Sequence, residues 1–484
     1  SGNLVGGDDN TATGTGTGNI VLGDRNAAEG TGSGNFVSGS DNNATGTGSG
    51  NLVSGNRNSA QGVASGNLVG GDDNTATGTG TGNIVLGDRN AAEGTGSGNI
   101  VTGSDNNATG TGSGNVVFGD ANTASGVGVG NFVGGFGNYA QGAFSGNAVF
   151  GIGNQASGVG SGNLVAGIGN QSSGLAVGNG VSGFNNQASG FASGNAVSGN
   201  NNQASGNNAG NDITGDDNIA LGTSAGNSHD ASRTLSIGHT AQASEDDAIA
   251  IGTSSTASAT SAIAMGTGAQ ATGAGAIAIG IGAQAHGSVA TGAGAFASNG
   301  GAAYGDASTA SGVNATAVGP NANATLAGSA AFGSGATAML ANEQVFGTRD
   351  NTYTTPGITS DLSKQRQSGR LELVTTDAAG HLASDGGDVF RAIAKLQAGV
   401  AVALAAEAPS LTTTENFGMR IGWGNFEGDA NAVAISAIGV VCRSCFSAGD
   451  RIAIDGSVGA GWSDYKSYSA GNSVGGRAGV QWTW

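Results

Sequence analysis

The sequence is poor in cysteine, proline and charged residues. It has 2 cysteines and 3 prolines among 484 residues, and charged residues make up 10% of it. Two cysteines cannot form the disulfide framework that holds small secreted domains together. The sequence also lacks the long apolar run that a conventional transmembrane helix requires. The fold must therefore be held by backbone hydrogen bonds and side-chain packing.

Positive charge is especially scarce, because Lys and Arg total 15 against 33 Asp and Glu, a net charge of -18. Binding to nucleic acid or to anionic lipid head groups requires a basic surface, so nucleic acid is excluded as a partner. The 4 histidines are scattered and no nucleophile is clustered with them. We therefore expect no enzyme activity, no metal site and no cofactor.

The beginning of the sequence lacks both an initiator methionine and a secretory signal. The chain starts at Ser1, in the middle of a repeat. We expect it to be a fragment of a longer protein, without its natural amino terminus.

Glycine, by contrast, is abundant, with 97 residues. Collagen is excluded because glycine does not occupy every third position, and disorder is disfavoured because Ile, Val, Leu and Phe recur at a fixed phase. A Gly-Asn pair recurs every sixteen residues, from Gly2-Asn3 to Gly210-Asn211. Such a fixed period is typical of stacked, equivalent structural units.

Each sixteen-residue unit contains two short strand patterns. The first is apolar, as in NLVGG and NIVLG, and the second has the form N-x-A-x-G. Gly7 and Asn10 bracket the turn between them, where glycine and asparagine can both take positive φ at little cost. Two strands and two turns predict one coil of a β-solenoid, whose coils bond to one another about 4.8 Å apart along the axis.

Adjacent apolar residues such as Leu4 and Val5 must point to opposite faces of their strand. The residues on one face of the strands fill the interior of the solenoid. Those on the other face are predicted to form an apolar stripe along fourteen coils. Monomers rarely expose such a stripe, so we expect other copies of the chain to pack against it. The predicted core or interface residues are Val5, Val21, Val37, Ile249, Ile251, Ile263, Ile277 and Ile279.

After Gly222 the period shortens to fourteen residues, in AIAIG (248–252), AIAMG (262–266) and AIAIG (276–280). We expect the same coil with two fewer residues. The predicted domains of this part are a head of sixteen-residue repeats at 1–222, a head of fourteen-residue repeats at 223–347, and a connector at 348–387.

A helix is predicted over 388–408, with Pro409 ending it. Its apolar residues follow the coiled-coil spacing of three, four and three, and its polar residues disfavour contact with lipid. The apolar residues are Ile393, Leu396, Val400 and Ala403. We assign 388–409 as a helical domain.

The segment 416–484 alternates apolar and polar residues, with aromatic residues at the ends, as the strands of outer-membrane barrels do. The predicted membrane-facing residues are Met419, Ile421, Trp423, Ile452, Ile454, Val480, Trp482 and Trp484. Four strands cannot close a barrel, and an open edge inside lipid leaves backbone groups without partners. The segment therefore has to oligomerise in a membrane.

The stretches AIAIGTSSTASATS and AIAMGTGAQATGAG resemble the head repeats of trimeric autotransporter adhesins of the YadA type. The resemblance extends over the chain in order, as head, connector, helix and anchor. It implies an all-β fold with a left-handed parallel β-roll head, and a homotrimer whose twelve-stranded barrel encloses three helices. Two features depart from the family: the connector lacks the usual basic neck motif, and the terminal aromatic residue is Trp484 instead of Phe.

The resemblance also implies a function. The chain is expected to be a surface adhesin of the bacterial outer membrane, exported by type V secretion, with its head exposed for attachment to host or abiotic surfaces. The implied partners are outer-membrane lipid, the barrel assembly machinery, and an unidentified ligand of the host extracellular matrix or cell surface.

A secreted or surface solenoid that binds calcium or ice is the alternative interpretation. GDDN at 7–10 could bind calcium, but turn chemistry explains it better because its acidic residues vary between repeats. The threonines Thr11, Thr13, Thr15 and Thr17 resemble a flat ice-binding face, but other copies of the repeat replace them with other residues. Ice binding is therefore disfavoured. Cys442 and Cys445 form either a local disulfide or two free thiols, without the surroundings of a redox motif.

Overall fold

The computed structural model describes residues 4–16, 20–33, 36–50, 52–66, 68–82, 84–469 and 472–484. The predicted Gly-Asn turns at 2–3, 18–19 and 34–35 lie outside these ranges. The chain divides into two compact units, residues 1–351 and 352–484. The first unit is a parallel β-solenoid, and the second contains two helices, a small hairpin and an antiparallel sheet.

The first strand of each sixteen-residue coil pairs in parallel with the same strand of the next coil, so that Val69, Val85 and Val101 lie in register. We call this the Val sheet. Its strands are Leu4–Gly6, Ile20–Leu22, Val37–Ser38, Leu52–Ser54, Leu68–Gly70, Ile84–Leu86, Ile100–Thr102, Val116–Asp120, Val133–Phe136, Val149–Ile152, Val165–Ile168, Val181–Phe184, Val197–Ser198, Ile213–Thr214 and His229–Asp230.

The second strand of each coil forms a longer parallel sheet, which we call the Ala sheet because Ala76, Ala92 and Ala108 lie in register along it. Its strands are Thr11–Thr13, Ala27–Glu29, Asn43–Thr47, Ser59–Val63, Thr75–Thr79, Ala91–Thr95, Asn107–Thr111, Thr123–Val127, Tyr139–Ala143, Gln155–Val159, Gln171–Leu175, Gln187–Phe191, Gln203–Asn207, Ile219–Leu221, Leu235–Ile237, Ile249–Ile251, Ile263–Met265, Ile277–Ile279, Val289–Thr291, Ala302–Tyr304, Thr316–Val318, Ala330–Phe332 and Gln344–Phe346.

A third parallel sheet, the short sheet, accompanies the Ala sheet through the fourteen-residue coils. Its strands are Gln242–Ala243, Thr256–Ala257, Gln270–Ala271, Gln284–His286, Phe296–Ser298, Thr309–Ala310, Asn323–Ala324 and Thr337–Ala338.

The Ala sheet runs through the change of period without interruption. Ile219–Leu221 pairs with Leu235–Ile237, which pairs with Ile249–Ile251. The AIAIG strands therefore continue the N-x-A-x-G strands of the earlier coils, and not their apolar first strands. The two fewer residues are lost on the other side of the coil, where the short sheet replaces the Val sheet.

The interior of a sixteen-residue coil lies between the Val and Ala sheets, where Val85 and Ala92 have no exposed surface. Gly82 has φ +55° and stands at the corner between them. A Cβ there would lie 2.7 Å from the Cβ of Ala76 and 3.0 Å from Cγ2 of Val85, so only glycine fits.

The asparagine of each G-x-x-N turn is buried and forms a ladder. Asn74 Nδ2 donates to the carbonyls of Gly70 at 3.0 Å and Gly87 at 2.6 Å, and its backbone N–H donates to Asn58 Oδ1 at 3.0 Å. Asn10 does not use the positive φ that the turn allows it; the residue with positive φ is the preceding one, Asp9 at 56°. Asparagine is required here for its side-chain amide and not for its backbone.

The second unit begins with a 3-10 turn at Pro356–Thr359, a short helix at Asp361–Arg366 and a hairpin of Val374–Thr376 with Leu382–Ser384. The long helix, Asp388–Ala405, comes next. It ends three residues before the predicted boundary at 408. Ala406 already leaves helical geometry, with φ -87° and ψ 30°, and the residue before Pro409 disfavours the α conformation.

The four long strands of the second unit form one antiparallel sheet in chain order. Phe417–Phe426 pairs with Ala430–Arg443, which pairs with Arg451–Tyr465, which pairs with Ser473–Thr483. We call this the anchor sheet. The short strand Tyr468–Ser469 folds back on the third long strand. Cys442, near the end of the second long strand, forms a disulfide with Cys445 in the turn that follows.

Candidate functional site

The outward residues that flank the buried valines form an apolar stripe, which we call the Val-sheet stripe. Within it the rings of Phe118, Phe132 and Phe150 pack together, with centroids 5.2 Å apart for the first two and 5.0 Å for the last two. The positions that flank the buried valines stop being apolar after Leu164, so the stripe spans fewer than the fourteen coils expected. A second exposed column at the strand ends, Phe136, Ile152, Ile168 and Phe184, continues to residue 184. Its members are Leu4, Ile20, Leu22, Phe36, Leu52, Leu68, Ile84, Leu86, Ile100, Val116, Phe118, Phe132, Phe150 and Leu164.

The outward side of the Ala sheet changes character along the chain. Up to residue 205 it carries mainly Thr, Ser, Gln and Asn together with exposed Glu29 and Glu93, and the strand ends add exposed Val63, Val127, Val159, Leu175 and Phe191. From Ile219 onward it becomes apolar, and we call this part the Ala-sheet stripe. Its members are Ile219, Leu221, Leu235, Ile237, Ile249, Ile251, Ile263, Met265, Ile277, Ile279, Val289, Val318, Phe332 and Phe346.

The predicted repeat residues occupy different environments. Val21 and Val37 lie inside the solenoid, whereas Val5 in the first described coil is 47% exposed. The five isoleucines from Ile249 to Ile279 face outward on the Ala-sheet stripe, and the interior at these coils consists of alanines such as Ala250 and Ala264. In this region the isoleucines are thus interface candidates and not core residues of a single chain.

The turn acids of the sixteen-residue coils are engaged with neighbouring coils. Arg57 Nε lies 2.6 Å from Asp73, and Arg89 Nε lies 2.7 Å from Asp105. The pKa of each of these two aspartates is lowered, chiefly by the hydrogen bond from its arginine. Among the described residues, no group of three or more His, Cys, Asp or Glu side chains is placed to hold a metal ion.

His229 marks the end of the Val sheet, in the column that Val197 and Ile213 occupy in the preceding coils. It is 6% exposed, its Nε2 lies 3.1 Å from Thr234 Oγ1, and its Nδ1 has no hydrogen-bond partner. Burial lowers its pKa, opposed in part by Asp230. Sequence reasoning missed this residue, although its position in a Val column is a readable signal.

The predicted membrane-facing residues share the side of the anchor sheet that faces away from the long helix. Met419, Ile421 and Trp423 on the first strand are 63%, 75% and 64% exposed. Of the later positions Ile452 is half-buried, whereas Ile454, Val480, Trp482 and Trp484 are exposed. A contiguous apolar surface of this kind needs a cover other than water.

The other side of the anchor sheet receives the long helix, because glycine leaves room for its backbone. A Cβ at Gly424 would collide with the carbonyl of Ala401, and one at Gly461 would lie 2.6 Å from the carbonyl of Ala398. Beyond the helix, Asp455 is 3% exposed and receives bonds from Arg477 at 3.1 Å and Gln481 at 3.2 Å.

The long helix therefore has two different faces. Its small face, including Ala394, Ala398 and Ala401, is buried against the anchor sheet. The predicted coiled-coil residues Leu396, Val400 and Ala403 instead line an open apolar groove on the opposite side. This second face has no partner among the described residues of the chain.

A cluster around Tyr468 joins the start of the long helix to the connector, and sequence reasoning gave no signal for it. Tyr468 is 2% exposed, its hydroxyl donates to the Leu371 carbonyl at 2.9 Å, and its ring stacks on Phe390 at 5.7 Å. Arg370 and Arg391 lie over the same ring, at 5.4 Å and 5.7 Å from its centroid. The long helix thus starts at the end of the anchor sheet that carries the loop around Tyr468.

The described part of the chain contains no helix with the length and apolarity needed to cross a membrane.

Comparison with known proteins finds a family resemblance in part of the repeats, between residues 231 and 336. The family model of the YadA head domain repeat matches residues 231–255, 257–283 and 310–336. No curated protein matches the chain. Among solved structures, the collagen-binding domain of the Yersinia adhesin YadA is similar, with 26% identity over 35% of this chain and 86% of that chain and a TM-score of 0.26. The head repeats support the recognition of this chain as a YadA-like trimeric autotransporter adhesin.

Proposed function

We propose that the chain is the subunit of a homotrimeric adhesin of a bacterial outer membrane, exported by type V secretion. The YadA head repeats support the adhesin function, and the solenoid displays them outside the cell. The ligand is a component of the host extracellular matrix or cell surface, and the protein is not an enzyme. The domains are those given above: heads at 1–222 and 223–347, connector at 348–387, helix at 388–409 and anchor at 416–484.

The anchor sheet carries the proposal of a trimer. Its first strand, Phe417–Phe426, and its last, Ser473–Thr483, each pair on one side only among the described residues. Their other edges would leave backbone donors and acceptors without partners in lipid. Joining the last strand of one copy to the first strand of the next, three times, closes a twelve-stranded barrel, and the open face of each long helix meets its two equivalents inside.

The direction of the helix gives the topology. The helix starts beside Tyr468 and ends near the disulfide turn, where Arg451 donates to the Thr412 carbonyl at 2.7 Å. With the head outside, the loop at 465–472 faces the surroundings and the turn at Cys442–Cys445 faces the periplasm. Lipid covers the outward side of the anchor sheet, which the barrel assembly machinery inserts.

The test uses the full chain behind a secretory signal in a Gram-negative outer membrane. We expect a trimer that withstands SDS without heating. A membrane-impermeant maleimide on intact cells should label Ser467→Cys but not Ser444→Cys, both in a Cys442→Ser, Cys445→Ser background. Both serines are exposed turn residues with positive φ, so they form a matched pair. A monomer, or labelling of the Ser444 site alone, contradicts the proposal.

The adhesin function is tested on the same cells. We expect them to adhere to at least one surface in a panel of matrix proteins and glycans, and cells that display only the unit 352–484 should not adhere. Equal adhesion by the two kinds of cells would contradict the role of the solenoid.

A further inference from the structure

The two apolar stripes of the solenoid lie on different sheets. Leu86 belongs to the Val-sheet stripe and is 37% exposed, whereas Met265 belongs to the Ala-sheet stripe and is 39% exposed. The Val and Ala sheets enclose the interior between them, so their outward sides face in different directions. A neighbouring subunit that covers one stripe therefore does not cover the other by the same contact.

Charge distinguishes which sheet can be covered in each region. Glu29 and Glu93 point outward from the Ala sheet in the sixteen-residue coils and are exposed. If the Ala sheet faced a dry trimer axis there, three copies of each carboxylate would meet, at a large desolvation and repulsion cost. In the same coils the positions that flank the buried valines of the Val sheet carry no charge, and Asp120 is exposed at the end of its strand.

The coils between the stripes lack large apolar residues beside the buried columns of both sheets, although Phe184 and Phe191, at the ends of their strands, are each 50% exposed. The outward positions of the Val sheet become Gly180, Ala196 and Asp212, and those of the Ala sheet are Gln187 and Gln203. The Val-sheet stripe has ended before this segment, and the Ala-sheet stripe has not begun. The segment 180–212 is therefore where one kind of contact gives way to the other.

We propose that the contact between copies of this chain changes sheet along the solenoid. Neighbouring subunits cover the Val-sheet stripe in the coils up to Leu164 and the Ala-sheet stripe from Ile219 onward, with the subunits turning relative to one another across 180–212. This inference rests on the proposed homotrimer, and it assigns opposite sides of the same roll to the interface in its two regions.

The experiment introduces single cysteines into the full-length trimer, in the Cys442→Ser, Cys445→Ser background. Leu86→Cys and Glu93→Cys probe the Val and Ala sheets of one sixteen-residue coil, and Met265→Cys and Gln270→Cys probe the Ala and short sheets of one fourteen-residue coil. All four native side chains are exposed in the single chain. Their reaction rates with a bulky maleimide are compared on dilute purified trimers.

We expect Leu86→Cys and Met265→Cys to react about tenfold more slowly than their partners in each pair, because a covered thiol reacts only when the contact opens locally. Leu52→Cys, on the same stripe at 38% exposure, provides a second position if Leu86→Cys fails to assemble. The cysteine on the Ala sheet should thus be the faster of its pair in the sixteen-residue coil and the slower of its pair in the fourteen-residue coil.

Three results would overturn the inference while leaving the trimer intact. These are slow labelling of Glu93→Cys with fast labelling of Leu86→Cys, equal fast labelling of the two, and protection of Leu86→Cys that disappears on dilution while the trimer mass persists. The last result would mean that the stripe joins separate trimers. A monomeric mass, with Met265→Cys also reacting fast, would instead contradict the proposed function itself.

Discussion

The two regions of the solenoid share one continuous sheet but fill their interiors differently. A sixteen-residue coil buries a valine, an asparagine and an alanine, as at Val85, Asn90 and Ala92, whereas a fourteen-residue coil buries alanines and in some coils a serine, as at Ala262, Ala264 and Ser255. The backbone pairing of the Ala sheet is the same in both. The difference teaches that strand pairing propagates the fold, while side-chain volume sets how many residues one coil requires.

The turn beside the interior shows how the shorter coil dispenses with asparagine. In the longer coils the Asn74 backbone N–H donates to the side chain of Asn58, one coil away, at 3.0 Å. In the shorter coils the equivalent N–H of Ala262 donates to the Ala259 carbonyl of its own turn at 3.0 Å. The shorter turn satisfies its own donor, so it needs no polar ladder between coils.

The largest effect should be common to both regions. Val85→Asp and Ala264→Asp each place a carboxylate between two sheets without a partner, and we expect each to cost roughly 3–5 kcal/mol of local stability. Hydrogen exchange of the surrounding coils in the full chain should accelerate accordingly. Thr79→Asp, at an exposed corner, is the control, and equal exchange in all three variants would show that the interior is not dry.

The second prediction separates the regions. Asn74→Ala removes two donated bonds and the bond accepted from the Asn90 N–H, so we expect a loss of about 2–4 kcal/mol at the coils around residue 74. Hydrogen exchange of those coils measures it, and Gln187→Ala on the exposed side of the Ala sheet is the control. Unchanged exchange in Asn74→Ala would argue that the ladder is dispensable in the longer coils too.

The third prediction exchanges the two interiors. Val85→Ala leaves a void in the wider coil and should cost about 2 kcal/mol, whereas Ala264→Val overpacks the narrower coil and should cost about 1–3 kcal/mol. Exchange protection of the two coils in the full chain gives both values. A stabilising Ala264→Val would show that the alanine interior has room to spare, which would contradict the link between side-chain volume and coil length.

The smallest effect concerns His229, where the two regions meet. Because burial lowers its pKa in the folded chain, the unfolded chain binds the proton more readily. The folded state should thus be most stable above the ordinary histidine pKa, about 6.5, and should lose stability as pH falls from there towards the lowered pKa. Partial proteolysis at pH 7.5 and pH 5 should detect the loss at this junction, and His229→Val should abolish it; an unchanged pH dependence in that variant would assign the effect elsewhere.

The period of the repeat was sufficient to predict a solenoid, its two strands per coil and the buried positions of Val21 and Val37. It was not sufficient to align the two kinds of coil, because both strand types end in glycine after alternating residues. Matching small residues instead of large ones would have placed Ala250 in the column of Ala220, with Ser236 between them, as the pairing has it. For a similar reason the sequence did not determine the role of Asn10, since asparagine suits both a positive φ and a side-chain ladder.

In the second unit the alternation of apolar and polar residues predicted the strands, and three-four-three spacing found the open face of the long helix. The buried face escaped notice because it consists of residues such as Ala394 and Ala398, which have little apolar signal of their own. Their burial follows from glycines on the anchor sheet, such as Gly424, whose spatial position the sequence does not reveal.

The stacking of coils also has a mechanical consequence for the proposed adhesin. Each coil adds about 4.8 Å to the length of the roll, yet its sixteen residues extend to roughly 55 Å when pulled straight. A tensile load along the roll acts on the hydrogen bonds between neighbouring coils, which such a load separates one coil at a time. Every coil that detaches releases about ten times its own length of chain, so the roll can lengthen under flow before the attachment itself has to break.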